Sequence, residues 1–410
     1  MEADRSPRVL FATSNGTGLG HLTRALAIAR RLEPGIEARF FTLSRAAGVV
    51  REQGFEVDRM PSHSEPGAGP LLTWDRQLRR RLEGLIAALR PGVVVFDGAH
   101  PYPGLLRALR SSGDPVTVWL RRALWRPNRN AAVLPWAARF DLVVEPGELA
   151  AGQDAGPTAA RRAEAVRVAP IVLCDEVDLL PRPEAARQAG VDPDGVNALV
   201  ALGQGPEVDA AVRRCLGRLA ARAGVGVAVL RSSLSPAVEA PEGVTVLTDT
   251  YPVSRLFRGF DLVVGAAGYN SFHELVRLGV PALLVPMSRE TDDQPARARA
   301  AAALGVALAS EGPDDPGLGD LLDRILDPAA REGMAARARE LRLRNGAEEA
   351  AALVSRLARG GGTEGLPHPG LPGDRLRGAL TLGLARASAL ARYPVERRRL
   401  GPTRDQAFMG

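Results

Sequence analysis

Residues 261–286 read D-L-V-V-G-A-A-G-Y-N-S-F-H-E-L-V-R-L-G-V-P-A-L-L-V-P. The apolar run 261–264 suits a buried strand. Gly265 to Gly268 let the chain turn tightly, and a helix is expected over 269–278. Gly279 and Pro281 interrupt it, and a second apolar run follows at 281–285. Strand, helix and strand in so short a space form a parallel βαβ unit, whose sheet must be covered on its faces.

The same alternation extends in both directions. In the second half, strands are expected at 196–202, 225–230 and 244–247, with helices near 207–223, 294–304 and 331–358. In the first half, strands are expected at 8–13, 37–43, 92–96, 115–119 and 141–144, with helices such as 21–32 and 76–89. Pro, Gly and Asp accumulate between about 145 and 195 (Pro170, Pro181, Pro183, Pro193), where the pattern restarts. The expected architecture is α/β, with two tandem Rossmann-like domains facing across a cleft. Their expected bounds are 1–170 and 171–359, followed by a Gly/Pro hinge and an Arg-rich tail over 360–410. Gly360 to Gly362 and Pro367, Pro369 and Pro372 suit a mobile hinge. Leu376, Leu380, Leu384 and Leu390 have near-helical spacing, which suits a surface or docking helix or one that meets a membrane.

The chain has 410 residues, of which 45 % are hydrophobic and 24 % charged, enough for substantial cores. Its 53 basic residues are all arginine. The lack of lysine excludes a Walker A phosphate loop, a Schiff-base site for pyridoxal phosphate and lysine-dependent kinase or aldolase sites. Residues 1–171 carry a net +7, 172–359 a net −5 and 360–410 a net +4. The basic first half and tail favour anionic ligands or an anionic membrane surface. Nucleic acid is not an expected partner, because aromatic residues make up only 4 % and leave little for base stacking. Cys174 and Cys215 make neither a disulfide framework nor a metal motif. With no signal-like start and no apolar run near the ~20 residues of a membrane span, the expectation is a cytoplasmic protein, peripheral at most to the inner face of the membrane.

After the first strand comes N-G-T-G-L-G-H-L-T-R, Asn15 to Arg24. Gly16, Gly18 and Gly20 permit close backbone approach to a ligand, and the helix start beyond them offers free N–H groups. His21 stands where a dinucleotide fingerprint needs glycine, and Leu43-Ser44-Arg45 lacks the acid that binds the NAD ribose. Arg45 alone keeps an NADP-dependent reductase open. The positive end of the helix dipole disfavours an imidazolium at His21, so a neutral general base is expected, the alternative being a capping or packing histidine. Asp97 and His100, in F-D-G-A-H at the carboxyl end of another strand, are candidates to orient it. An Asp at that position is also a common helix cap.

In the second half, the helix beginning at Tyr269 to Ser271 can hold a phosphate on its amides and the Ser271 hydroxyl. Glu274, one turn in, can accept from both hydroxyls of a ribose. P-M-S-R-E-T-D-D-Q, Pro286 to Gln294, follows the next strand at its carboxyl end, where open α/β sheets bind ligands. Asp293 and Gln294 there suit sugar hydroxyls. Asp192-Pro-Asp194 imitates a metal-binding D-x-D, but V-D-P-D-G-V reads better as a turn. His63, His273 and His368 show no partner in the sequence.

Taken together, G-Y-N-S-F-H-E-L-x-x-x-G-V-P, the following D-D-Q and the N-terminal G-x-G-x-G-H-L-x-R resemble the GT-B nucleotide-sugar glycosyltransferases, in particular the MurG-like family and the bacterial glycosyltransferases near it. The resemblance covers about 8–358. It implies an acceptor bound mainly by the first domain and a nucleotide donor bound by the second. It further implies Glu274 on the donor ribose, Gly268, Asn270 and Ser271 along the diphosphate, and Asp293 and Gln294 on the sugar. The loop from Asp249 to Val253 would border the base, and Gly203 to Gly205 would form the family's second glycine loop. Plant-type relatives carry His-Gly-Gly before Asn-Ser, whereas Ala266-Ala267-Gly268 stands here. Arg231 is a candidate replacement for the missing histidine. The expected activity is metal-independent transfer of a sugar from a nucleoside diphosphate donor, UDP first, with no cofactor. The acceptor hydroxyl is lipid-linked, on a natural product or on a saccharide. The rivals are a nucleotide-sugar hydrolase in the same pocket, the reductase, and a nucleotide-binding module without catalysis.

Overall fold

A computed structural model describes residues 6–14, 19–113, 115–203, 206–231, 240–248 and 250–400, with the side chains of 206–207 and 393–400 left aside. Thirteen strands fall in two wholly parallel sheets among the described residues. The first holds β1 (Arg8–Thr13), β2 (Glu37–Thr42), β3 (Glu56–Arg59), β4 (Val93–Asp97), β5 (Val116–Leu120), β6 (Leu142–Pro146) and β7 (Val166–Val168), in the order β3-β2-β1-β4-β5-β6-β7. The second holds β8 (Val196–Ala201), β9 (Val225–Arg231), β10 (Val244–Thr248), β11 (Leu262–Ala266), β12 (Ala282–Val285) and β13 (Leu308–Ala309), in the order β10-β9-β8-β11-β12-β13. The strand order reverses direction between β1 and β4 and again between β8 and β11. At such switch points the carboxyl ends of the strands open a crevice for ligands.

The helices are α1 (Gly20–Ala29), α2 (Ala47–Glu52), α3 (Leu71–Leu89), α4 (Pro103–Ser111), α5 (Arg182–Ala189), α6 (Pro206–Ala220), α7 (Tyr269–Arg277), α8 (Gln294–Leu304), α9 (Leu318–Leu326), α10 (Pro328–Glu340), α11 (Gly346–Ala358) and α12 (Asp374–Leu400). Sequence reading passes over β3, β7 and β13, which are edge or near-edge strands too short to show a period. It also joins α10 and α11 into one helix over 331–358. The chain breaks there because Arg342 takes a left-handed conformation (φ 45°) and the Asn345 side chain caps α11 by accepting from the Ala347 amide at 3.0 Å.

That break redirects the chain. Ala347, Ala350, Ala351, Val354 and Leu357 of α11 join the core of the first sheet, together with Phe11, Leu26, Val95, Val118 and Leu173. Val354 and Leu357, both fully buried, each contribute ~1.5–3 kcal/mol there. Order along the chain therefore misplaces 346–358, which packs with the first half rather than the second.

The segment expected as a mobile hinge is held down by hydrogen bonds at both ends. Gly370 N donates to Glu164 Oε2 at 2.9 Å, and Arg356 Nη1 donates to Gly362 O at 2.7 Å. Beyond it, α12 lies against α3 and the 3₁₀ segment Ala131–Arg139. Asp374 is buried on Arg161 at 2.5 Å, and Trp136 Nε1 donates to Thr381 Oγ1 at 2.9 Å.

Candidate active site between the two sheets

At the β1/β4 switch point, α1 starts at Gly20 and carries His21 in its first turn. Asp97 is the last residue of β4, so the strand end delivers a carboxylate beneath the helix start. His21 Nδ1 lies 2.6 Å from Asp97 Oδ1. Arg24, one turn further along α1, grips the same carboxylate twice, Nε to Oδ2 at 2.9 Å and Nη2 to Oδ1 at 2.6 Å. Arg24 Nη2 is also 2.9 Å from His21 Nδ1, but a guanidinium has only hydrogens to give. The consistent assignment has Nδ1–H donating to Asp97 and leaves Nε2 as the free lone pair. Burial, opposed by Asp97 and reinforced by Arg24 and Arg122, holds the His21 imidazolium below its ordinary range. A neutral, oriented imidazole results. Burial raises the Asp97 carboxyl, but the Arg24 charge and the hydrogen bonds from His21 and Arg24 outweigh it and hold the group below its usual range.

The second half approaches this dyad through α7. The helix is capped by extended Gly268, and Gly279 ends it in a left-handed turn (φ 65°), with Val280 N on Leu275 O at 2.9 Å and Gly279 N on Val276 O at 3.2 Å. Tyr269, Phe272, His273, Leu275 and Val276 are buried, which aims the amino end of α7 across the cleft at α1. There Asn270 Oδ1 accepts from Arg24 Nη1 at 3.2 Å, and Asn270 Nδ2 donates to Gly20 O at 3.1 Å. Tyr269 is a pin between the halves: its hydroxyl donates to Gly147 O at 2.9 Å and accepts from Ile171 N at 3.1 Å. Arg24, Arg122 and Arg297 stand 5.4–5.9 Å from its ring. Glu148 and Asp292 balance that charge. Arg297, fully buried, bonds Glu148 Oε2 at 2.8 Å, Asp292 Oδ1 at 2.9 Å and Ala267 O at 2.7 Å, and Arg122 bonds Asp292 Oδ1 at 2.9 Å. His273 closes the seam, taking Leu149 N on Nε2 at 3.2 Å and bonding Tyr269 O through Nδ1 at 2.7 Å.

The remaining sequence candidates are placed as follows. Ser271 is exposed at the amino end of α7, while Glu274 is buried one turn below it. Glu274 Oε1 accepts from Leu173 N at 3.4 Å, and burial pushes its carboxyl up to about 7. The Asp293 side chain caps α8 on Ala296 N at 3.0 Å, and Gln294 Oε1 accepts from Met287 N at 2.9 Å. The Gln294 amide nitrogen lies within 3.7 Å of the space beside Gly268. Gly203 (φ 90°) follows β8, and the Arg289 guanidinium is 3.8 Å from where a Cβ would stand there. Arg231, offered as a phosphate ligand, bonds Asp209 through one terminal nitrogen at 3.0 Å, and its other terminal nitrogen is buried without a partner among the described residues. His100 meets the rings of Trp136 and Tyr102 edge-on. Asp192 Oδ1 accepts from Asp194 N at 3.0 Å, the turn expected of that segment. Gly16, Gly18, Gly205 and Asp249 lie outside the described residues.

Sequence reading missed Arg24, Arg122, Glu148, Asp292 and Arg297. Arg24 stood inside a motif quoted for its glycines and histidine. Asp292 likewise stood inside the quoted D-D-Q, while Arg122, Glu148 and Arg297 lack a local signal because the cluster is completed by partners up to 170 residues away.

Comparisons with known proteins agree on the family. No family model matches this chain. A curated UDP-N-acetylglucosamine–N-acetylmuramyl-(pentapeptide) pyrophosphoryl-undecaprenol N-acetylglucosamine transferase from a Nocardioides species is 30 % identical over 380 residues, 86 % of this chain and 99 % of that protein. Its namesake from a Synechococcus strain is 30 % identical over 350 residues, 79 % of this chain and 89 % of that one. Among solved structures, MurG of Acinetobacter baumannii aligns with a TM-score of 0.57 at 17 % identity, covering 85 % of this chain and all of that one. The glycosyltransferase of kitacinnamycin aligns at 0.56 and 19 %, covering 86 % and 100 %, so the shared fold is GT-B. With a 30 % identical relative matched along nearly its whole length, the chain belongs to the MurG-type N-acetylglucosaminyltransferase family and is a glycosyltransferase.

Proposed function

We propose that this enzyme moves N-acetylglucosamine from its UDP ester to a hydroxyl of a lipid-linked saccharide, with His21 as the base. The relatives' names support donor and acceptor. The observation that carries the assignment of the base is the 2.6 Å contact between His21 Nδ1 and Asp97, within a cluster that reaches α7 through Arg24 and Asn270. In this reading the acceptor hydroxyl gives its proton to His21 Nε2 as its oxygen bonds to the anomeric carbon. The bond from that carbon to the diphosphate breaks, and UDP leaves with the electron pair. Asp97 stabilises the imidazolium that forms. The amides at the start of α7 and the Ser271 hydroxyl hold the charge that develops on the departing diphosphate. Glu274 takes the ribose, Gln294 and Asp293 the sugar, and Gly203 and Gly268 the close backbone approach. The first half acts as the acceptor side and the second as the donor side. A transfer mechanism accounts for the base better than hydrolysis or reduction does: the relatives are named as transferases, and Arg45, on which the reductase rests, is exposed.

The test is His21→Ala and His21→Asn in a transfer assay with labelled UDP-N-acetylglucosamine. Removing a general base slows turnover by ~10²–10⁴, and UDP binding survives because its ligands lie across the cleft. Near-normal turnover in His21→Asn would move the base elsewhere. Loss of UDP binding in His21→Ala would place His21 in the phosphate pocket instead.

A further inference from the structure

The tail helix α12 is docked by one face and leaves the other apolar. Asp374, Gly378, Thr381, Leu382 and Ala389 turn toward the first half, where the bonds to Arg161 and Trp136 fix the helix. The opposite face carries Leu376, Leu380, Leu384 and Leu390, which are 68, 60, 69 and 54 % exposed. On a helical projection of 100° per residue these four form one continuous stripe. Arg375 and Arg386 fall along one margin of it and Arg377 along the other, while Arg392 lies beyond, toward the docked face. Four arginines and no acid occupy 375–392, and Glu396 and then Arg397 to Arg399 follow in the sequence.

We infer that α12 lies flat on an anionic lipid bilayer, with its leucines among the acyl chains and its marginal arginines at the headgroups. An exposed apolar stripe bordered by long cationic side chains is the pattern of an interfacial helix, since arginine reaches the headgroups while its stem stays in contact with apolar surface. No helix of the described residues is long and apolar enough to cross a membrane, so contact would be at the surface. A second copy of the chain is the poorer occupant. Two such faces would set arginines against arginines with no acid between them, whereas anionic lipid neutralises both margins. Because α12 is bonded to the first half, the membrane would lie against the half read above as the acceptor side. The proposal draws its consequence from that reading and its support from the exposed stripe.

Flotation of the full chain with vesicles of phosphatidylcholine, with and without phosphatidylglycerol, tests it. The chain should float with the anionic vesicles, poorly with the neutral ones, and less as salt rises. Arg377→Gln and Arg386→Gln should each weaken binding about fivefold, the equivalent of ~1 kcal/mol per arginine. The triple variant Leu376→Ser, Leu380→Ser, Leu384→Ser should weaken it by on the order of tenfold or more, while its melting temperature and its stabilisation by UDP stay as in the parent. Equal flotation of parent and triple variant, or none with anionic vesicles, would overturn the inference. So would a dimer in analytical ultracentrifugation that the triple variant dissolves. UDP stabilisation, measured on the same samples, reads the transferase assignment independently: flotation can fail with UDP binding intact, and the reverse.

Discussion

Glu274→Gln should make this protein more stable above neutral pH while abolishing its response to UDP. The Glu274 carboxyl is buried, and burial raises it from 4.5 to about 7. Between those values the folded chain keeps a proton that the unfolded chain has released. The folded state therefore loses ground as pH rises from 4.5 through 7. That rise from 4.5 to about 7 corresponds to ~3 kcal/mol lost by the time the group has ionised. Glutamine keeps an oxygen for the Leu173 amide and cannot ionise. The variant should gain on its parent steadily from pH 5, where under a third of the difference has developed, to pH 9, where all ~3 kcal/mol has. Urea unfolding of both proteins across pH 5–9, compared by difference, measures this. UDP supplies the second arm. Two ribose hydroxyls donating to the carboxylate favour its charged form, so UDP binding to the parent should release a proton near pH 7, seen by calorimetry in buffers of different ionisation heat. UDP at ~100 times its dissociation constant should add ~2.7 kcal/mol to the parent and almost nothing to the variant. A variant destabilised equally at pH 5 and pH 9, or one that UDP still stabilises fully, would refute the assignment of Glu274.

Arg24→Met should remove both guanidinium bonds from Asp97 and leave that carboxylate to His21 alone; the acidic limb of the kcat profile then moves to higher pH, and an unmoved limb would take His21 out of the pH dependence. Tyr269→Phe strands the buried Ile171 amide and takes a donor from the half-buried Gly147 carbonyl, and should cost about 1–3 kcal/mol, chiefly for the amide, read as a lowered urea midpoint; an unchanged midpoint would deny Tyr269 its role as a pin. EDTA should leave turnover intact, and activity lost to EDTA and restored by Mg²⁺ would reopen Asp192 and Asp194.

Much of the fold could be read from residues because long strands such as 8–13 and 196–201 alternate with long amphipathic helices, and that period survives without tertiary context. α11 could not be assigned to a sheet, because its alanine-rich face fits either one and only the turn at Arg342 sends it to the first. α12 shows the opposite difficulty. Its leucines have core-like spacing, yet the docked face is made of Gly378, Thr381, Leu382 and Ala389, and the missing side chain of Gly378 lets the helix approach Trp136 closely. At the site, strand ends and glycine bends announced His21, Asp97 and the start of α7, since local chain geometry writes them. The position of Arg231 at a strand end was legible, but its helix partner Asp209 was not, because that contact comes from packing. The Glu148–Arg297–Asp292–Arg122 cluster depends on the two halves meeting, which no local pattern encodes.

The return of α11 gives the enzyme a second passage between its halves, and the two passages run side by side. Gly346 N donates to Pro170 O at 2.9 Å, and Asn345 bonds both the amide and the carbonyl of Val172. Two covalent connections laced together at one edge behave as the paired knuckles of a door hinge: rotation about their common line is easy, and twisting or sliding is not. Two such ties fix the line along which the halves meet, and with it the place of His21 beside the start of α7. A side chain at 346 would jam that hinge, since its Cβ would stand 1.8 Å from the Ala169 carbonyl oxygen. Expressing the halves separately by cutting near residue 170 would also fail for the first, which would lack the helix that completes its core.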